Sequence, residues 1–211
     1  MQLNSFKVLF LSTFLSLITQ ATAGPYNPPA VGTKYYVTST QGDFLNEVVS
    51  TEQDRYLTTS TQLSTKRVSE VTRFFGFINF AKNLREDILP LDRDKARALF
   101  PLKVGNKVSF SHYGGTSKWY RDHGIEVISE YMGQIGEENS PIFTLKMRSE
   151  TPGFFKFEGT CDYSVKLAFC VQILGDLFVK DNPEFTRPVK LNVTKAQIGG
   201  VELLVKNPNA K

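Results

Sequence analysis

The feature that most constrains this chain is a repeated alternation of apolar and polar residues over short segments. Phe143, Leu145 and Met147 are separated by polar side chains, and the longest apolar run of one parity extends from Tyr163 to Ile173. Residues two apart share a face of a β-strand, whereas a helix would scatter them. We therefore predict an all-β fold, mainly an antiparallel sheet, arranged as a curved meander, a sandwich or an open barrel.

Turn-forming pairs separate the alternating segments, as at Pro152–Gly153 and Gly175–Asp176. Such spacing is typical of antiparallel strands with short connections. One segment, near 92–100, predicts a short helix, with Asp92 as its N-cap and Pro101 as its stop.

The first 23 residues have the three-part pattern of a secretory signal peptide. Lys7 is their only charge, Val8 to Ile18 is largely apolar, and Ala21-Thr22-Ala23 supplies small residues for cleavage. The apolar run is shorter than the roughly 20 residues of a membrane span, which favours a cleaved signal helix over a retained anchor. We predict a signal peptide over 1–23, a Pro/Gly-rich leader over 24–32 and a single β-rich domain over 33–211. This organisation predicts a periplasmic or secreted protein with no transmembrane segment after cleavage.

Composition excludes several classes of protein. The 211 residues are 41% hydrophobic and 22% charged, which is unlike a collagen-like chain, a disordered tail or a disulfide-dense mini-protein. The net charge of +4 is too small to indicate nucleic-acid binding. Binding proteins, enzymes and structural surface proteins remain.

The chain contains two cysteines, Cys161 and Cys170. An oxidising destination favours a disulfide between them. In one straight strand they would lie about 30 Å apart, far beyond the roughly 7 Å between Cα atoms that a disulfide permits. Either the chain turns near 166–168, or the two thiols do not pair with each other.

Both histidines flank the most unusual stretch of the sequence, which also holds the only tryptophan. His112, Asp122 and His123 are weak candidates for a general base or, together, for a metal site. The alternative is a polar hairpin tip with aromatic side chains packed across the strands. The spacing shows no third metal ligand, so no catalytic residue, metal or cofactor is assigned.

Two aromatic clusters, 73–80 and 154–157, are the other candidates. In a strand, adjacent phenylalanines point to opposite faces, and two apolar faces need cover from a second sheet, a helix, a partner or a bound lipid. We expect either core strands or a pocket for a hydrophobic small molecule or lipid. The residues assigned to the pocket are Phe74, Phe75, Phe77, Trp119, Tyr120, Phe154 and Phe155.

The segment 100–110, FPLKVGNKVSF, resembles the PLxVGxxxxF segment of exported bacterial β-rich proteins of unassigned function. Residues 161–165 and 170–178 are similar to their following hairpin, which begins CxYxV. Those proteins usually carry Val-Pro-Ala-Gly-x-Phe where this chain has 172–178, and here the proline is absent. The resemblance covers roughly the second half of the mature chain. It implies a curved antiparallel sheet able to cradle an apolar ligand, and it implies no catalytic residue.

These observations predict an exported, non-enzymatic binding or carrier module with an aromatic-lined apolar pocket. One alternative is a secreted hydrolase or metal-dependent enzyme centred on His112, Asp122 and His123. The other is a structural or adhesive surface protein that uses an exposed sheet edge.

Overall fold

A computed structural model describes residues 25–81, 86–114, 119–179 and 186–209, so the predicted signal peptide lies outside the described residues. These residues form one antiparallel sheet of 13 strands with one short helix, which confirms the predicted fold class. The strands are β1 Lys34–Ser39, β2 Gly42–Thr51, β3 Arg55–Gln62, β4 Val68–Phe74, β5 Ile78–Ala81, β6 Glu86–Asp87, β7 Lys107–Gly114, β8 Trp119–Ile135, β9 Glu138–Thr151, β10 Phe155–Ser164, β11 Phe169–Val179, β12 Arg187–Ile198 and β13 Val201–Lys206, and the helix is α1 Pro90–Arg97.

The strand order explains how the sheet curls. From one edge it runs β5-β4-β3-β2-β1-β12-β11-β10-β9-β8-β7-β6, so the first strand pairs with the twelfth. The last strand, β13, pairs with β12 and also, through Val205 and Lys206, with the far end of β8. It thereby joins the two ends of the β8-to-β12 stretch into a ring of six strands.

Two hydrophobic cores lie within the curled sheet. The predicted face of Phe143, Leu145 and Met147 is buried in the first core, which also receives α1 side chains. Tyr35 and Val37, which share a parity in β1, are buried in the second core. Where strands are covered on one face, the alternation in the sequence therefore identifies the buried side chains.

The run from Tyr163 to Ile173 is not one strand, and that prediction is wrong. It is a hairpin: β10 and β11 are joined by a turn over 165–168, where Ala168 has a positive φ of 48°. The turn brings the Cα atoms of Cys161 and Cys170 to 5.5 Å, and the two residues form a disulfide. Of the two alternatives left open by the sequence, the turn is the correct one.

The aromatic segment 73–80 is also interrupted. β4 ends at Phe74, and Phe75 has a positive φ of 50° in a turn that leads into β5. Both phenylalanines are fully buried in the first core, so the prediction that they point to opposite faces is wrong. Alternation does not continue where the chain leaves the strand, and Gly76 belongs to this turn.

Helix α1 begins earlier than predicted. Leu89 is its N-cap and Pro90 lies at the first helical position, where the missing N–H of proline carries no penalty. Asp92 therefore lies within the first turn and forms an ion pair with Lys95 at 2.8 Å. The helix ends at Arg97, and Pro101 follows in a cis peptide bond with Phe100.

Two tyrosines of β1 and β3 donate hydrogen bonds to the β10–β11 turn. The hydroxyl of Tyr35 donates to the carbonyl of Leu167 at 2.8 Å, and that of Tyr56 donates to the carbonyl of Ala168 at 3.0 Å. Gly76 packs against the same Ala168 carbonyl, so closely that a Cβ placed on the glycine would lie 1.9 Å from the oxygen. Three separate strands or turns of the first half of the chain thus meet at one hairpin turn.

We expect Gly76→Ala to be among the most destabilising single substitutions in the chain. Gly76 and Gly105 both have positive φ, 78° and 93°, but a Cβ at Gly105 would meet nothing within 4 Å. Gly105→Ala therefore isolates the backbone penalty, about 1 kcal/mol, and Gly76→Ala adds at least about 2 kcal/mol from the clash. Urea unfolding of both variants measures the difference. If both variants lose the same free energy of unfolding, the contact with Ala168 does not exclude a side chain at position 76.

Candidate functional site

A cleft of about 210 Å³ lies over the face of the sheet that carries the first core. Strands β8 to β12 form its floor, and the turn and strand that follow β4 form one wall. Its lining residues are Phe77, Ile78, Asn79, Arg121, His123, Met147, Ser149, Phe155, Phe157, Ile173, Leu177 and Val189.

The polarity of the floor changes from strand to strand. β8 contributes Arg121 and His123, and β9 contributes Ser149 beside Met147. The next three strands contribute only apolar side chains, which are Phe155, Phe157, Ile173, Leu177 and Val189. The cleft therefore has a polar end at β8 and an apolar end at β12.

The two histidines meet at the polar end. The rings of His112 and His123 stack with centroids 4.9 Å apart, and His112 Nδ1 lies 2.7 Å from His123 Nε2. His112 pairs with Arg121 in the β7–β8 register, which sets His123 diagonally across from it on the same face. Both side chains are buried.

The electrostatics favour a neutral pair. A direct N···N hydrogen bond holds one proton between the two rings, and protonation of both rings would set two N–H groups against each other. Burial, reinforced by the neighbouring His112 and Arg121, holds the pKa of His123 well below its usual value of 6.5.

Asp122 does not join the histidines. Asp122 is adjacent to His123 in β8, so its side chain points to the opposite face of the sheet. That side chain is exposed and accepts a hydrogen bond from the Ser111 hydroxyl at 2.5 Å. The hypothesis of a site formed by His112, Asp122 and His123 therefore loses its carboxylate, because adjacent residues of a strand face opposite ways. Within the four described ranges, no group of three or more His, Cys, Asp or Glu side chains is placed to hold a metal ion.

Ser149 takes the place that the sequence interpretation gave to Asp122. It lies directly opposite His123 in the β8–β9 register, and its hydroxyl is 2.7 Å from His123 Nδ1. Sequence reasoning missed this residue because it lies 26 positions further along the chain. The available signal was its parity, since Ser149 continues the face of Leu145 and Met147.

Arg121 is held in place beside the histidines. Its guanidinium lies 4.0 Å from the ring centroid of Phe155, and its Nε donates to the Thr151 hydroxyl at 3.3 Å. An arginine stacked on an aromatic ring keeps its charge while its long side chain is fixed. The cleft thus has a positioned cation at its polar end.

The structure separates the aromatic residues that the sequence assigned to one pocket. Phe77 and Phe155 line the cleft, whereas Phe74 and Phe75 are fully buried in the first core. Tyr120 and Phe154 are exposed, 53% and 69%, and the side chain of Trp119 lies outside the described residues.

The predicted leader also contributes to the core beside the cleft. Tyr26 packs edge-on against Phe75 at 5.2 Å and against Phe100 at 5.4 Å, and burial raises its pKa. The Pro/Gly-rich leader therefore covers part of the first core.

A pair of glycines determines how Phe157 lies in the floor. Gly159 and Gly175 face each other across β10 and β11, and a Cβ on either would come within 3 Å of both the opposite backbone and the Phe157 ring. The ring can lie across the two strands only because neither position has a side chain. Gly175 is therefore a strand residue, and the turn predicted at 175–176 is wrong.

A second, larger depression of about 680 Å³ lies on the outer face of β7 to β10. Its charged residues have opposite signs, and Arg148 lies 4.0 Å from Glu158 across it. Arg148 also forms an ion pair at 2.5 Å with Glu150, outside the depression. Paired ions on an open surface indicate a solvated face. The cleft, with its apolar floor and positioned polar groups, is the better candidate site.

Fold and site together define a curled antiparallel sheet with one small amphipathic cleft. No protein family and no curated protein matches the sequence. Among solved structures, the chain is similar to the hypothetical lipoprotein YmcC from Escherichia coli (K12), with a TM-score of 0.45 and 12% identity over 82% of this chain and 89% of that one. At this level of similarity, function has to be argued from the cleft itself. In the part of the chain that is described, no helix has the length and apolar character needed to cross a bilayer.

We expect the histidine pair to make the protein less stable in mild acid. The unfolded chain protonates His123 near pH 6.5, whereas the folded imidazole stays neutral to lower pH. The unfolded state then binds more protons, so the free energy of unfolding falls below pH 6.5 by up to about 1.4 kcal/mol per pH unit for this group. Urea unfolding between pH 7.5 and 5 measures the slope.

His123→Phe provides the control, because the chain has only two histidines. The variant should be less stable at pH 7.5 but show a flatter dependence between pH 6.5 and 5. An unchanged slope would assign the acid sensitivity to other groups.

Proposed function

We propose that this is an exported binding protein that holds a small, largely apolar ligand in the cleft over β8 to β12. The observation that carries the proposal is the continuous apolar floor formed by Phe155, Phe157, Ile173, Leu177 and Val189. When a ligand covers apolar surface that is open to solvent, the complex is stabilised by about 25 cal/mol for each Å² removed from water.

The walls support a preformed site. Phe77 and Ile78 are held by the turn after β4, and that turn is fixed against the β10–β11 hairpin through Gly76. Asn79 accepts a hydrogen bond at 2.6 Å from Arg73, whose guanidinium lies 4.8 Å from the Phe169 ring in the second core. The cleft wall is therefore tied to both cores before any ligand binds.

The size of the cleft limits the ligand. Its 210 Å³ lies below the roughly 300–1,000 Å³ typical of sites for drug-sized molecules. A ligand with a single chain of up to medium length fits this volume, and a two-chain lipid exceeds it. Export is supported by the signal-peptide pattern over 1–23 and by the Cys161–Cys170 disulfide, which is typical of oxidising compartments.

A neutral naphthylamine dye tests the cleft directly. Leu177→Trp fills the apolar floor, so we expect dye affinity to fall about tenfold or more relative to the unmodified protein. Leu204→Trp makes the same change on the exposed face of β13, where Leu204 is 51% exposed, and should leave binding unchanged. Fluorescence titration gives both affinities, and thermal unfolding confirms that the variants are folded. Dye binding that is absent, or equal in the two variants, would contradict the proposal.

One observation favours a second candidate function, ester hydrolysis. The Ser149 hydroxyl, His123 and His112 form a hydrogen-bonded chain in which a hydroxyl meets a base that a third group orients. The strand around Ser149, however, pairs with strands on both sides, so the backbone N–H groups near the hydroxyl are committed to the sheet. A hydrolase would need other donors to stabilise the oxyanion.

Turnover of short-chain nitrophenyl esters separates this candidate from simple binding. If Ser149 is a nucleophile, Ser149→Ala lowers turnover to the background rate, whereas Ser111→Ala, in β7 and directed away from the histidines, has no effect. We expect a pure binding protein to show the background rate in all three proteins. Turnover that survives Ser149→Ala would remove Ser149 from any mechanism.

A further inference from the structure

The distribution of charge in the cleft indicates more than an apolar ligand. Arg121 is the only charged residue in the lining of the cleft as the described residues define it, and no Asp or Glu belongs to that lining. His123 adds no competing positive charge near neutral pH, because burial keeps its pKa well below 6.5. Among the described lining residues, the polar end therefore contributes one positively charged side chain, that of Arg121.

The guanidinium of Arg121 is positioned to bind an anionic head group. Stacking on Phe155 and the hydrogen bond to Thr151 fix the guanidinium at the rim where the floor becomes apolar. A planar guanidinium suits a carboxylate, which it can bind through parallel N–H···O bonds. The hydroxyl of Ser149 and the imidazole of His123 lie on the same side, and they add neutral polar groups around an anionic head.

The apolar end is placed for a chain. From β8 to β12 the floor crosses four inter-strand steps of ~4.8 Å, or about 19 Å. Its far part is lined by Ile173, Leu177 and Val189. A single chain of medium length, with its head at Arg121, would run across Phe155 and Phe157 towards Val189 and cover the nearer part of this floor.

We propose that the ligand is a single-chain amphipathic carboxylate, with its head group on Arg121 and its chain along the floor from Phe155 to Val189. This inference rests on the proposed binding function and adds the class of ligand and its direction in the cleft. The proposed ligand has a free carboxylate and one chain of medium length.

Decanoate and decanol test the head group, since they share one chain and differ in charge at pH 7.5. We expect decanoate to displace the naphthylamine dye with an affinity about tenfold or more above that of decanol. Arg121→Gln should abolish this preference by weakening decanoate and leaving decanol nearly unchanged. Arg148→Gln removes an arginine that is 59% exposed on the outer face and should preserve the preference.

Each outcome bears on one of the two proposals. Equal affinities for decanoate and decanol would overturn the carboxylate assignment while the binding function stands. A preference for decanoate that survives Arg121→Gln would overturn Arg121 as the head-group site. A parallel loss of both ligands in Arg121→Gln would show that Arg121 acts through packing on Phe155, which also overturns the assignment. If neither molecule displaces a dye that binds in the cleft, the assignment of the ligand class is overturned while the binding function stands. If the dye itself does not bind, the proposed function fails as well.

Discussion

The structure depends on two tyrosine hydroxyls that reach across the sheet to one hairpin turn. Tyr35 in β1 and Tyr56 in β3 donate to consecutive carbonyls, those of Leu167 and Ala168. A buried carbonyl without a donor is destabilising, so these bonds fix the position of the first five strands relative to the β10–β11 hairpin. The turn after β4 is brought over the face of β8 to β12 as a result, and its Phe77 and Ile78 become a wall of the cleft.

The cleft places buried polar side chains next to an apolar floor. The polar end contains two imidazoles and a hydroxyl that are hydrogen-bonded in a line, with both nitrogens of His123 engaged. Burial favours the neutral form of His123, so its imidazole adds no buried charge near neutral pH. The adjacent Arg121 stays partly accessible, with its side chain packed on Phe155. Polar side chains and an apolar floor can share a cleft of 210 Å³ because His123, Ser149 and Arg121 already contact other side chains of the protein.

The sequence predicts the strands better than the connections. Alternation identified the buried face of Phe143, Leu145 and Met147 because β9 is regular and covered by one core on that face. It failed between Tyr163 and Ile173, where a four-residue turn preserves parity and the left-handed position is occupied by Ala168, with no glycine to indicate it. The paired histidines could be suspected from their spacing. Their register excluded Asp122, and Ser149 could not be found without knowing which strand lies beside β8.

The pairing of β1 with β12 sets the order in which the molecule can be completed. Tyr36 pairs with Lys195, and β13, the bridge between β12 and β8, comes later still. A nascent chain cannot close the ring or complete the β1 side of the sheet until almost all of its residues have been synthesised, because long-range pairings require both partners. Until then, the inner faces of the early strands remain uncovered. The ring and the β1 side of the sheet thus form together, once β12 and β13 are available to pair.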